Sequence, residues 1–218
     1  MRGSGLTIVI GLILYTSSPA QGLLDLDERL FQRLESDNRH PVLDYTIESI
    51  SLITPFLEGG IALERGLIGW FKGDERARDA GFISGVAVAS TELLCFTLKY
   101  TVKRERPPRG YKPRIWKKKR ITPSFPSGHT ASSFAFAAVM GEKYPKYKIA
   151  LLIYASLSGY SQIYVGNHYP LDVLAGGLIG YGIGRLCLYL EKEIPQSLPF
   201  LANFTLTPRG KLTYNFRF

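Results

Sequence analysis

Three histidines occur among the 218 residues, and two of them, His129 and His168, stand where a helix is expected to begin. His129 follows Ser127 and Gly128 and precedes the apolar run from Phe134 to Met140. A helix start there offers free backbone N–H groups and the positive end of the helix dipole, an environment that holds an anion such as phosphate. His168 lies two residues before Pro170, which suits a first helical position, and Asp172 falls one turn after His168. A carboxylate there can accept the Nδ1 proton and leave Nε2 exposed. Lys99 and, seven residues later, Arg106 flank another helix end, because Pro107-Pro108 stops any continuing helix. Either histidine alone reads as structural. Together with the two cations they suit phosphoryl transfer, with His168 as nucleophile and His129 as the donor of a proton to a departing oxygen.

Five long apolar segments carry these residues: Ser49 to Phe71, Ala80 to Leu98, Ser127 to Gly141, Ile149 to Val165 and Leu171 to Leu190. Their lengths and patterns predict helices, with Gly73-Asp74 and Glu142 to Lys148 as short connections and Pro107 to Pro126 as a long ordered loop. The fold class expected is all-α, a bundle of about five to six core helices. Membrane crossing is left open by the segments themselves. Glu58, Glu64, Arg65 and Glu92 lie inside the first two, and charges are costly in lipid. If all five do cross, alternation puts the 99–126 loop and His168 on one face.

Charge is concentrated between Lys103 and Arg120, where ten basic residues face one acid, Glu105. That segment carries the whole chain's net +9, so the rest is neutral. The N-terminus has Arg2, an apolar run from Leu6 to Tyr15 and then Ser18-Pro19-Ala20, a secretory signal pattern too short to span a bilayer, or else an uncleaved anchor. Export makes anionic lipid or a phosphorylated substrate the expected partner of the basic loop, and not nucleic acid. Cys95 and Cys187 lie in apolar segments and read as buried thiols; no metal site is expected. From Asn203 the period changes. Phe204, Leu206, Leu212, Tyr214, Phe216 and Phe218 alternate with polar residues around Pro208-Arg209-Gly210, which reads as a β-hairpin packed on the helical domain. The domain plan is residues 1–20 signal or anchor, 21–195 helical domain and 196–218 tail.

KYTVKRERP (99–107), PSGH (126–129) and SQIYVGNHYPLD (161–172) resemble, in order and internal spacing, the three motifs of the type 2 phosphatidic acid phosphatase superfamily, K-x6-RP, PSGH and SR-x5-H-x3-D. The resemblance covers roughly Asp44 to Leu190. It implies a helical-bundle phosphatase that forms a phosphohistidine, without metal or other cofactor. By that resemblance His168 attacks phosphorus, Asp172 orients it and His129 is the general acid. Lys99, Arg106, Ser127 and the Gly128 N–H hold the phosphoryl oxygens, and Gln162 stands where the family has Arg. Gln keeps a donor but loses the charge and the fork, with Arg104 or Arg109 as neighbours able to compensate.

The expected function is hydrolysis of a lipid phosphate or pyrophosphate at the periplasmic face of a bacterial envelope membrane. The alternatives are a soluble periplasmic acid phosphatase acting on small phosphoesters and an inactive binder of anionic headgroups. Lipid A, undecaprenyl pyrophosphate, phosphatidylglycerol phosphate and phosphatidate fit the cationic seat equally. The vanadate-dependent haloperoxidases share the resemblance, but nothing in these residues favours halide chemistry.

Overall fold

Six α-helices account for most of the residues that the computed structural model describes, which are 19–34, 41–108, 122–193, 204–206 and 212–214. They are α1 Pro19–Leu34, α2 Pro41–Lys72, α3 Glu75–Val102, α4 Gly128–Lys143, α5 Lys148–Tyr164 and α6 Pro170–Glu193. The all-α expectation holds. Helix α2 starts two turns earlier than its apolar run, at a proline that fits a first helical position, and α3 likewise extends beyond its apolar part at both ends. One face of each N-terminal extension is packed, with Asp44, Ile47 and Glu48 buried in α2 and Ala77 in α3. Gly73, with φ 71°, turns the chain between α2 and α3, and the Asp74 side chain caps α3 by accepting from Ala77 N–H at 3.1 Å. Lys103, in the left-handed region, ends α3 by donating its N–H to Lys99 O.

Helix α4 is the centre of the bundle, with α3, α5 and α6 around it. Its buried face is mostly small: Ala131, Ala135, Ala137 and Ala138, with Phe136, Val139 and Met140 filling the space between layers. Helix α6 answers with Gly176, Gly180 and Gly184 at every fourth position. A Cβ on Gly180 would stand 1.9 Å from Ala131 O, so the two backbones touch along this seam. The outer surface is apolar, with Phe56, Leu63, Phe71, Leu93, Ile149 and Leu178 exposed, while Ser51, Thr54, Glu58, Ser132, Ser133 and Ser158 are buried within. By length and composition, α2, α3 and residues Pro170–Lys192 of α6 can cross a membrane. The Glu58 charge does not prevent this, because its side chain is buried inside the bundle, where Tyr154 Oη donates to its Oε1 at 3.2 Å.

One end of the bundle gathers the motif-bearing ends of the helices. Lys99 near the end of α3 reaches Pro126 O before α4, Ser127 N–H donates to Asp172 O in α6, and Tyr164 Oη at the end of α5 donates to Asp44 in α2. Cys95 is buried, and Cys187 only partly. Near the C-terminus, Phe204–Leu206 pairs antiparallel with Leu212–Tyr214. The expected turn at Pro208-Arg209-Gly210 lies outside the described residues, and nothing supports a hairpin seated on the helical domain. The signal pattern at 1–18 and residues 109–121 of the basic loop also lie outside them.

Candidate active site

Asp172 is placed by the start of α6. Its Oδ2 accepts the Tyr169 N–H at 3.0 Å, the bond by which a third-position carboxylate closes a helix N-terminus. The same oxygen accepts from Ser124 Oγ at 2.6 Å and lies 3.7 Å from His168 Nδ1, while Oδ1 accepts from Arg104 Nη1 at 2.7 Å. His168 is held by the turn between α5 and α6. Gly166, with φ 67°, makes the reversal, and the Gln162 carbonyl accepts the N–H groups of both Asn167 and His168.

Arg106 closes over the imidazole. Its Nη1 lies 3.3 Å from His168 Nε2 and donates to Asn167 O at 2.6 Å, and its Nε and Nη2 hold Thr122 O and Thr122 Oγ1. A guanidinium only donates, so Nε2 is the acceptor here and the ring proton sits on Nδ1, toward Asp172 and Ser124. Burial pushes the His168 pKa down to about 3; Asp172 pulls it upward, and Arg106 and Lys99 add to the depression. The ring is neutral, with its Nε2 lone pair aimed at a cation that binds phosphate well. That is the state a phosphoryl-accepting nucleophile requires.

Lys99 spends its ammonium on three carbonyls, those of Pro123, Ser124 and Pro126, and so ties the segment before α4 to the end of α3. Ser127 begins α4 without a side-chain cap; its Oγ pairs with Thr130 Oγ1 at 2.8 Å. The first amide groups of α4, beginning at Gly128, therefore have no capping oxygen from Ser127 and suit an anion. A Cβ at 128 would stand 3.2 Å from Glu92 Oε2, so a larger residue there would require a small shift of that carboxylate. His129, partly buried, occupies the first turn of the same helix.

Gln162 is fully buried. Its Nε2 donates to Ser51 Oγ at 2.9 Å and its Oε1 accepts from Asn167 Nδ2 at 3.0 Å, which makes it a brace for the His168 turn. Arg104 does not stand in for the missing family Arg. Its guanidinium bridges Asp172 and Asp27, while Arg109 lies outside the described residues. Sequence reasoning missed Ser124, Thr122, Asn167 and Asp27. The first three lie within a few residues of a motif, which is a usable signal; Asp27 in α1 gives none.

The fold and site define a helical bundle in which two cations, an uncapped helix start and an Asp-supported neutral histidine converge. The family model described as the PAP2 superfamily matches residues 80–195, more than half of the chain, and the chain belongs to that superfamily. It is 36% identical over 94 residues to a lipid A 1-phosphatase of Porphyromonas gingivalis, covering 41% of this chain and 21% of the relative. It is 32% identical over 123 residues to an undecaprenyl-diphosphatase of Sulfolobus acidocaldarius, covering 56% and 60%. The chain thus spans less than two thirds of the length of these curated relatives. Among solved structures it is similar to Aquifex aeolicus LpxE, with 32% identity, TM-score 0.58 and coverage of 74% of this chain and 93% of that one. It shares the fold of a transmembrane PAP2-type phosphatidylglycerolphosphate phosphatase from Bacillus subtilis, with TM-score 0.66, 22% identity and coverage of 87% and 96%.

Proposed function

We propose that this protein hydrolyses a phosphate or pyrophosphate ester of a lipid through a phosphohistidine, with the active centre at the end of the bundle that holds His168. The observation that carries the reading is the contact of Arg106 Nη1 with His168 Nε2, 3.3 Å apart. It brings a phosphate-binding cation to the one atom on which a phosphoryl group would be accepted.

In the first step Nε2 attacks phosphorus, the bond to the lipid oxygen breaks, and that oxygen takes a proton from His129. Asp172 balances the positive charge the imidazole acquires, and Arg106, Lys99, Ser127 and the Gly128 N–H stabilise the equatorial oxygens. In the second step His129, now neutral, takes a proton from water; the hydroxide attacks phosphorus and the P–N bond breaks, releasing phosphate and the neutral His168. For Lys99 this requires exchange of at least one carbonyl contact for a phosphoryl oxygen. Gln162 contributes from the edge of the seat.

A lipid substrate is supported by the apolar exterior, by three helices able to cross a membrane and by the relatives that act on lipid A and undecaprenyl diphosphate. Helix α1 adds to it, since Leu23, Leu24, Leu26, Leu30 and Leu34 are exposed at the His168 end of the bundle. The signal pattern in the sequence supports a periplasmic position for that end, and the ten basic residues between Lys103 and Arg120 support attraction to anionic lipid.

Phosphate release by purified protein from lipid A, undecaprenyl pyrophosphate, phosphatidylglycerol phosphate and phosphatidate tests the proposal. At least one lipid should be hydrolysed, with no loss after exhaustive chelation and with inhibition by vanadate, which mimics the pentacoordinate state. His168→Ala should abolish both turnover and label trapped by alkaline quench. Full activity of His168→Ala, or a chelated enzyme revived only by a divalent metal, would sink the scheme.

A further inference from the structure

We propose that Asp27, in α1, is a positioning residue for catalysis that acts through Arg104 on Asp172. The proposal rests on the reading of His168 as the nucleophile supported by Asp172.

Asp27 is 1% exposed, and both of its oxygens are used: Oδ2 accepts from Arg104 Nη2 at 2.6 Å and Oδ1 accepts the Leu171 N–H at 2.8 Å. Arg104 Nη1 reaches Asp172 Oδ1 at 2.7 Å, and its guanidinium lies 4.2 Å over the Tyr169 ring, which Phe31 of α1 meets edge-on. One partly buried cation thus bridges two buried carboxylates from helices far apart in sequence. Burying such a set is costly, and an apolar contact would anchor α1 as well, so the charges call for a reason beyond anchoring.

The charge count supplies one. His168 is faced by Arg106 and Lys99, which oppose any positive charge on the ring, and by Asp172, which favours it. Arg104 paired with Asp172 alone would cancel that carboxylate. With Asp27 included, the trio keeps one net negative charge beside the imidazole, and the guanidinium is fixed in the plane that orients Asp172. The ring becomes cationic as Nε2 binds phosphorus, so this charge acts on the step itself.

Asp27→Asn tests the idea, because Asn keeps the size and an oxygen for the Leu171 N–H while removing the charge. The probe is the ³²P-labelled lipid phosphate that the unmodified protein hydrolyses fastest, in mixed micelles with rapid alkaline quench. The substrate concentration that half-saturates the phosphorylation rate should stay within about twofold, and the phosphorylation rate constant should fall roughly ten- to a hundredfold. Asp27→Glu should restore part of the rate. Arg104→Lys should reproduce the loss, since one ammonium cannot span both carboxylates in fork geometry. A reduced amplitude and lowered thermal stability with an unchanged rate constant would make Asp27 a scaffold residue and overturn the proposal, as would an Asp27→Asn protein indistinguishable from the unmodified one. Absence of phosphohistidine in the unmodified protein would instead overturn the reading of His168, and this inference with it.

Discussion

Arg106 Nη1 lies 3.3 Å from His168 Nε2, so the proposed nucleophile is already in contact with the cation that its substrate must displace or share. Further donor contacts, to Thr122 O, Thr122 Oγ1, Pro123 O and Asn167 O, hold the guanidinium in place. Arg106→Lys keeps the charge but loses the planar fork. A preorganised donor of this kind is worth about 2.7–4 kcal/mol to the transition state, so kcat/KM should fall by roughly two to three decades. Vanadate inhibition should weaken in parallel; a change confined to KM would make Arg106 a ground-state binder only.

Burial lowers the His168 pKa from 6.5 to about 3, and this has a consequence for folding as well as for nucleophilicity. Between those values the unfolded chain binds a proton that the folded chain does not, so stability falls as pH falls through that window and is fully present above it. The unmodified protein in detergent should lose thermal stability from pH 6.5 downward, and His168→Gln should lose less over the same range. Parallel curves for the two proteins would show that the imidazole does not titrate in this way.

The seam between α4 and α6 separates packing from catalysis. A Cβ at Gly180 would meet Ala131 O at 1.9 Å, and one at Gly176 would meet Ser127 O at 2.5 Å. Each Ala substitution should destabilise by about 1–3 kcal/mol through overpacking. Only Gly176→Ala pushes on Ser127, which starts the turn proposed to bind the phosphoryl anion. Activity per folded molecule should therefore drop at Gly176→Ala and hold at Gly180→Ala; equal losses would mean that the seam moves as one unit.

The motif residues were legible because phosphoryl chemistry needs cations and histidines beside helix ends, and prolines and glycines mark those ends in the sequence. The bundle was legible for a related reason, since long apolar runs broken by Gly-Asp or by Pro leave few other folds. Helix α1 was not. Its Leu-rich pattern is short, it adjoins a signal-like segment, and its one buried charge, Asp27, finds Arg104 only through tertiary packing. The use of Lys99 on three carbonyls was equally hidden, because spacing shows that a cation is near a helix end but not which oxygens it meets.

Gln162 brings both kinds of information together. The family pattern has Arg there, which argues that a cation at 162 should speed the reaction, yet the Gln amide is bonded at both ends, to Ser51 and to Asn167. An Arg at 162 must give up the Asn167 contact to reach a phosphoryl oxygen. Leaving that buried amide unpaired costs about 1–3 kcal/mol of stability. Gln162→Arg should therefore raise turnover at saturating substrate by roughly one to two orders of magnitude, since a charge-assisted bond to the phosphoryl group is worth about 1.5–3 kcal/mol, while thermal stability falls. Saturation matters because Arg also tightens ground-state binding, which would lower KM without helping the chemical step. Gln162→Leu separates the two roles: it removes the brace without adding a cation, and should lower both stability and turnover. If Gln162→Arg folds, loses stability and turns over no faster, the residue is a brace for the His168 turn alone, and the phosphoryl charge is met by Arg106 and Lys99 without it.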